Sequence, residues 1–110
     1  MGKTGRLEDK VAVITGAASG IGRATAILFS IHGARMVLAD TNEKGLEETM
    51  TQVKKENGDA IIKKTNVALE EDVKELIDLA IKTYSKIDIL CNNAGIAGDL
   101  ADLQGQNADA

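Results

Sequence analysis

The chain has 110 residues, with 13 Lys and Arg against 17 Asp and Glu, a net charge of −4, and 44% hydrophobic but only 2% aromatic residues. That length holds one domain at most, with an aliphatic core of Val, Ile, Leu and Ala. The acidic balance argues against a nucleic-acid partner or an anionic membrane surface.

Residues 1–10 are polar and charged, with no apolar stretch of the kind a signal peptide carries, and no run approaches the length of a membrane span. The expectation is a soluble cytoplasmic protein, with a mitochondrial or peroxisomal location left open. Cys91 lies in an apolar run and reads as a buried, inert thiol. One Cys and His32 cannot assemble a metal site, and His32, next to Gly33, reads as the end of a helix, where it suits the dipole.

Four strand-like runs alternate with three helix-like runs. The first strand is Val11–Thr15, and it runs straight into Gly16-Ala17-Ala18-Ser19-Gly20-Ile21-Gly22. A helix is predicted over Ile21–His32 and a second strand over Met36–Asp40. The second helix, Glu43–Glu56, places Leu46, Met50 and Val53 on one face, and Asn57-Gly58 is its stop signal. A third strand follows at Ala60–Thr65. The third helix, Glu70–Ser85, aligns Val73, Leu76, Ile77, Ala80 and Tyr84, with Glu70, Glu71 and Asp72 in its first turn. The fourth strand is Ile87–Asn92. Residues 99–110 are small and polar and read as an irregular tail behind a domain spanning 1–98. Alternating strand and helix argues for an α/β fold on a parallel sheet with right-handed crossovers.

The glycine segment carries the chemistry. Gly16 permits the sharp turn out of the strand, Gly20 removes a side chain where backbone must approach a phosphate, and Gly22 lets the new helix pack closely. The first helical N–H groups have no partner within the helix and carry the positive end of its dipole, so a pyrophosphate is stabilised there, and Ser19 and Ile21 belong to the same mouth. Eighteen residues past Gly22, Asp40 ends the second strand. Its carboxylate can accept bonds from ribose 2′- and 3′-hydroxyls and would repel a 2′-phosphate. No Arg or Lys stands within the glycine loop, so the reading is NAD over NADP. A methyltransferase uses an acid at the same place for its own adenosine, and a glycine triplet alone does not separate the two.

A second motif does. The fourth run reads Ile87-Asp88-Ile89-Leu90-Cys91-Asn92-Asn93-Ala94-Gly95. With Thr15-Gly16-x-x-x-Gly20-Ile21-Gly22 upstream, the chain resembles the short-chain dehydrogenase/reductase family of the classical type, from about Gly5 to Gly98. The resemblance implies a Rossmann-type doubly wound sheet of strand order 3-2-1-4, truncated, with the first two helices on one face and the third on the other. It implies that Asn66 and Val67 cradle the adenine, although the family more often has Asp where Asn66 stands. It also implies that Asn92 to Gly95, with Asn93, Ala94 and Gly95 nearest the ligand, hold the sheet centre and pass close to the nicotinamide ribose.

The family's catalysis uses a Ser and a Tyr-x-x-x-Lys pair. The single tyrosine here, Tyr84, is followed four residues on by Asp88. Tyr84 therefore reads as helix packing, and no catalytic residue is assigned. The expectation is the cofactor-binding half of an NAD(H)-dependent oxidoreductase whose full-length parent is a homo-oligomer. The alternatives are a non-catalytic NAD-binding module, or a truncated product without function. The fourth strand, apolar and open at the sheet edge, predicts marginal stability and self-association.

Overall fold

The computed structural model describes residues 6–93. Seven elements alternate: β1 Val11–Thr15, α1 Gly20–Ile31, β2 Arg35–Asp40, α2 Glu43–Lys55, β3 Asp59–Lys64, α3 Glu70–Tyr84 and β4 Ile89–Asn92. The strands form one parallel sheet in the order β3-β2-β1-β4. Both the order and the element count agree with the sequence expectation. The predicted boundary at 98 and the tail at 99–110 fall outside the described residues.

β1 is the sheet's centre, and every one of its residues is buried. Ala12 and Ile14 face α1 and α2, packing with Ala26, Met36, Leu38, Leu46 and Val53. Val13 faces the other way, with Val37 and Ala39, against Leu76 and Ala80 of α3. Cover on both faces is why β1 and β2 read as unbroken apolar runs without alternation. Burial of each large aliphatic side chain there contributes about 1.5–3 kcal/mol. Away from β1 the cover thins. β3 is half-buried, and β4 leaves Leu90 40% exposed. Among the described residues no strand pairs with the outer side of β4. Nor is any described helix long and apolar enough to cross a membrane.

Most boundaries shift by one residue, but β4 starts two later than the predicted Ile87. The cause is Asp88. Its N–H donates to the Val11 carbonyl at 2.8 Å, while its side chain accepts the Val11 N–H at 2.9 Å, so a carboxylate stands where the ladder would otherwise begin. α2 ends at the expected stop signal, where the Gly58 N–H donates back to the Val53 carbonyl at 2.9 Å. Asn57, not Gly58, takes the left-handed conformation at φ 61°. Gly58 is needed for space, since a Cβ there would lie 2.6 Å from Ser30 Cβ and Val53 Cγ1.

The Val11 N–H, with the Lys86 ammonium 3.2 Å away, holds the Asp88 carboxyl below the usual carboxylate range against a smaller opposing desolvation. A lowered folded value means that Asp88 stabilises the fold fully above its unfolded pKa of about 3.9, and that this is lost as pH falls through the folded value. Asp88→Asn is therefore expected to melt below wild type at neutral pH, with the gap closing in acid. A gap that persists unchanged to the acid limit would contradict the assignment.

Candidate functional site

A cleft of about 440 Å³ opens at the carboxyl ends of the strands, where open α/β sheets place ligands. It is built by the turn after β1. Gly16 leaves the strand at φ 64°, a left-handed conformation that a side chain would oppose. The turn is then pinned to β2: the Ala17 N–H donates to the Ala39 carbonyl at 3.0 Å and the Ala18 N–H to Asp40 Oδ2 at 3.1 Å. Gly20 stands at φ 57°, and a Cβ there would have no heavy atom within 4 Å, because it would project into open space. At Gly22 a Cβ would overlap the Gly16 carbonyl oxygen and come within 2.6 Å of its carbon. The third glycine is thus required by the first, a closer constraint than helix-to-sheet packing in general.

α1 begins at this cleft with Ser19 as N-cap, no side-chain capping bond and no acid in its first turn. α2 differs: Asn42 caps it, accepting the Gly45 N–H at 2.9 Å, and Glu43 follows. The α1 terminus therefore presents its positive end without a competing side-chain acceptor, which suits an anion. Ile21, 74% exposed, forms an apolar wall beside it. The donor set and the room left at Gly20 fit a pyrophosphate.

Asp40 sits on the cleft wall, with Thr41 next to it. Beyond Ala18, its Oδ1 accepts the Asn42 N–H at 2.9 Å, which fixes the carboxylate. Oδ1 also accepts the Thr41 hydroxyl at 3.5 Å, whereas among the described residues Oδ2 accepts only the Ala18 N–H and keeps a lone pair for a ligand hydroxyl. Asn66 and Val67 line the cleft with Thr65, whose N–H donates to the Asp40 carbonyl at 2.9 Å. The Asn66 side-chain oxygen already accepts the Ala68 N–H at 2.9 Å, and the Asn66 N–H donates to Asp72 Oδ2 at 2.9 Å. So the oxygen expected to meet adenine also closes its own turn, and Asp72 anchors that turn to α3.

Asn93 completes the lining. Ala94 and Gly95, expected beside it, lie outside the described residues. The Asn93 N–H donates to Thr15 Oγ at 3.1 Å. The Thr15 hydroxyl in turn donates to Asn92 Oδ1 at 3.0 Å, stitching the end of β1 to the end of β4. Sequence reasoning missed Thr41 and Thr65 as parts of the lining, and their only signal is position, each next to a residue that was identified. It gave Thr15 as the first residue of the glycine motif but not as the link to β4.

Tyr84 lies at the other end of the sheet. Its hydroxyl donates to Asp59 Oδ1 at 3.2 Å, and the Arg35 guanidinium stands 5.8 Å from its ring centre. Asp59 opens β3, and the cleft lies a strand's length away, roughly 20 Å. Desolvation, with the Asp59 carboxylate adding to it, pushes the tyrosine up to about 12. Cys91 is half-buried, and burial raises its thiol. Among the described residues no group of three or more His, Cys, Asp or Glu could hold a metal ion.

A family model described as short chain dehydrogenase matches residues 10–110. An uncharacterised oxidoreductase of Listeria monocytogenes is 47% identical over 90 residues, 82% of this chain and 36% of the relative. A hydroxysteroid dehydrogenase structure from Escherichia coli superposes with a TM-score of 0.79 at 38% identity, covering 82% of this chain and 38% of that one. A short-chain dehydrogenase/reductase from Burkholderia phymatum, solved in complex with NAD, gives 0.74 at 37% identity, over 76% of this chain and 30% of that one. The chain spans about a third of the length of the curated relatives it matches.

The glycine geometry sets an order of costs. Gly22→Ala must displace the Gly16 carbonyl and is expected to destabilise the fold by about 1–3 kcal/mol. Gly20→Ala meets no atom and should cost only the left-handed penalty, about 1–2 kcal/mol. Denaturant unfolding of both variants checks this, and a Gly22→Ala variant as stable as wild type would count against the packing described.

Proposed function

The chain belongs to the short-chain dehydrogenase family, and from that premise we propose that its cleft holds the adenosine and pyrophosphate of NAD(H). The observation that carries the proposal is the pairing of Asp40 with the start of α1. One Ala18 N–H bond holds the carboxylate beside an uncapped helix terminus, so a ribose acceptor and a phosphate donor set share one rigid turn.

In this reading Gly16, Ser19, Gly20, Ile21 and Gly22 receive the pyrophosphate at the helix mouth. Asp40 accepts the ribose hydroxyls, and each such charged bond contributes about 1.5–3 kcal/mol. Asn66 and Val67 flank the adenine, and Asn93, with Ala94 and Gly95, approaches the second ribose. When bound, the cofactor supplies hydride transfer, and in a longer parent that chemistry would act on an alcohol or ketone. Tyr84, with Asp88 rather than Lys four residues on, is given no catalytic role, and the function proposed for these residues is cofactor binding. A half-site of this kind binds weakly, with a dissociation constant on the order of a millimolar.

NAD is preferred over NADP because the Asp40 carboxylate would face a 2′-phosphate. Two like charges about 4 Å apart cost at least ~1 kcal/mol even in water. Calorimetric titration is expected to give NAD at least about fivefold tighter than NADP, with Asp40→Asn narrowing the gap. Equal affinity for the two in the wild-type chain would overturn the preference, and no saturable binding of either would overturn the site.

The edge strand supports a second reading of the chain's associations. Leu90 is exposed on β4, whose outer backbone groups have no described strand partner, so a second copy can pair there. Sedimentation should show concentration-dependent association that Leu90→Lys weakens. A monomer at every concentration would exclude it.

A further inference from the structure

Two residues outside the cleft, Arg23 and Thr49, stand in a relation to it that the motif does not contain. The limb Ala17–Ala18 lies between Gly16 and Gly20, both in the left-handed conformation. It leads directly into the turn of α1 that faces the ligand. Ala17 is 0% exposed and Ala18 2%, so each of their four backbone polar groups needs a partner within the protein. β2 supplies two, taking the Ala17 N–H at the Ala39 carbonyl and the Ala18 N–H at Asp40. Side chains from two helices supply the others. Thr49 of α2 donates its hydroxyl to the Ala17 carbonyl at 2.7 Å, and Arg23 of α1 donates Nη2 to the Ala18 carbonyl.

The two donors are themselves joined. Arg23 Nε donates to Thr49 Oγ1 at 2.8 Å, and Nη2 also reaches the Gly45 carbonyl at 3.1 Å. Thr49 is wholly buried, with its hydroxyl used once as donor and once as acceptor. α2 comes close enough that a Cβ on Gly45 would stand 2.7 Å from Ala18 Cβ. The bland alternative is that Arg23 only pairs with Glu48, 3.2 Å away. That pair is half in solvent and contributes little. The remaining Arg23 acceptors, two loop or helix carbonyls and a buried hydroxyl, are not those of a surface ion pair.

We infer that Arg23 and Thr49 are positioning residues that hold the glycine loop in its ligand-ready shape, and so select for phosphate-bearing ligands without touching them. The inference rests on the cofactor reading above. Its physical basis is preorganisation: a limb between two glycine hinges that is ordered before binding costs nothing further to order on binding. The ribose acceptor does not depend on the bracket in the same way, because Asp40 is also fixed by the Asn42 N–H.

The test uses Thr49→Val, Arg23→Gln and Thr49→Ser in the full chain, titrated with ADP and with adenosine and followed by amide shifts. Thr49→Val and Arg23→Gln are expected to weaken ADP about tenfold and adenosine less than about twofold, while Thr49→Ser, which keeps the hydroxyl, binds as wild type does. Unchanged ADP affinity in Thr49→Val, or equal loss of ADP and adenosine, would overturn the inference. Hydrogen exchange of the unliganded chain reads the bracket on its own: the Ala17 and Ala18 amides should exchange about tenfold faster in Thr49→Val. If the wild-type chain takes up neither NAD nor ADP, the cofactor reading fails, and equal exchange in wild type and Thr49→Val would then reject the bracket separately.

Discussion

β1 has no free side. β2 and β4 occupy its two edges, α1 and α2 cover one face, and α3 covers the other. A chain leaving that slot has to turn at once, and Gly16 does so in a conformation closed to most residues. The consequences run outward from there. The turn brings the Ala17 and Ala18 amides to β2, sets the start of α1 over the strand ends, and leaves Gly22 against the Gly16 carbonyl. The cleft is the space that this forced exit creates.

Hydrogen bonds to backbone, rather than ion pairs, hold the site's shape. Every ion pair among the described residues has at least one partner well exposed to solvent, and pairs of that kind contribute at most about 1 kcal/mol. Charge-assisted bonds from a backbone N–H to a carboxylate are about twice as strong as neutral hydrogen bonds. Asp40 makes two, Asp72 makes one to Asn66, and Asp88 makes one to Val11. Three acids, each at or near the end of a strand or helix, thus fix the β1 entry, the β2 exit and the loop that carries Asn66. The same Asp40 that orders the loop is the proposed ribose acceptor, so its substitution would disturb the loop as well as the proposed contact.

The sheet was legible because its central strands are covered on both faces, which leaves apolar runs too regular to miss. The turn at Gly16 and the close approach at Gly22 were legible because each answers to a steric need at a set spacing. Asp88 was not, since inside an apolar run it looks like an ordinary strand residue, and only the structure shows its side chain replacing a ladder bond. Arg23 and Thr49 were hidden for another reason. An arginine after a glycine turn and a threonine in an amphipathic helix both look solvent-facing, and their use depends on two helices meeting. Asn66 lines the cleft, and the bond from Ala68 to its oxygen follows from the local turn and could not be read from residue type.

The proposed dinucleotide site lies at one end of the sheet, and the Asp59–Tyr84 pair lies at the other. The most direct measurement is an amide-shift map of the full chain during titration with NAD. Saturable shifts are expected at residues 16–22, at Asp40 and at residues 66–67, at concentrations on the order of a millimolar, with Asp59 and Tyr84 unmoved. Saturable shifts centred on Asp59 and Tyr84, or a spectrum that does not respond, would contradict the proposed site.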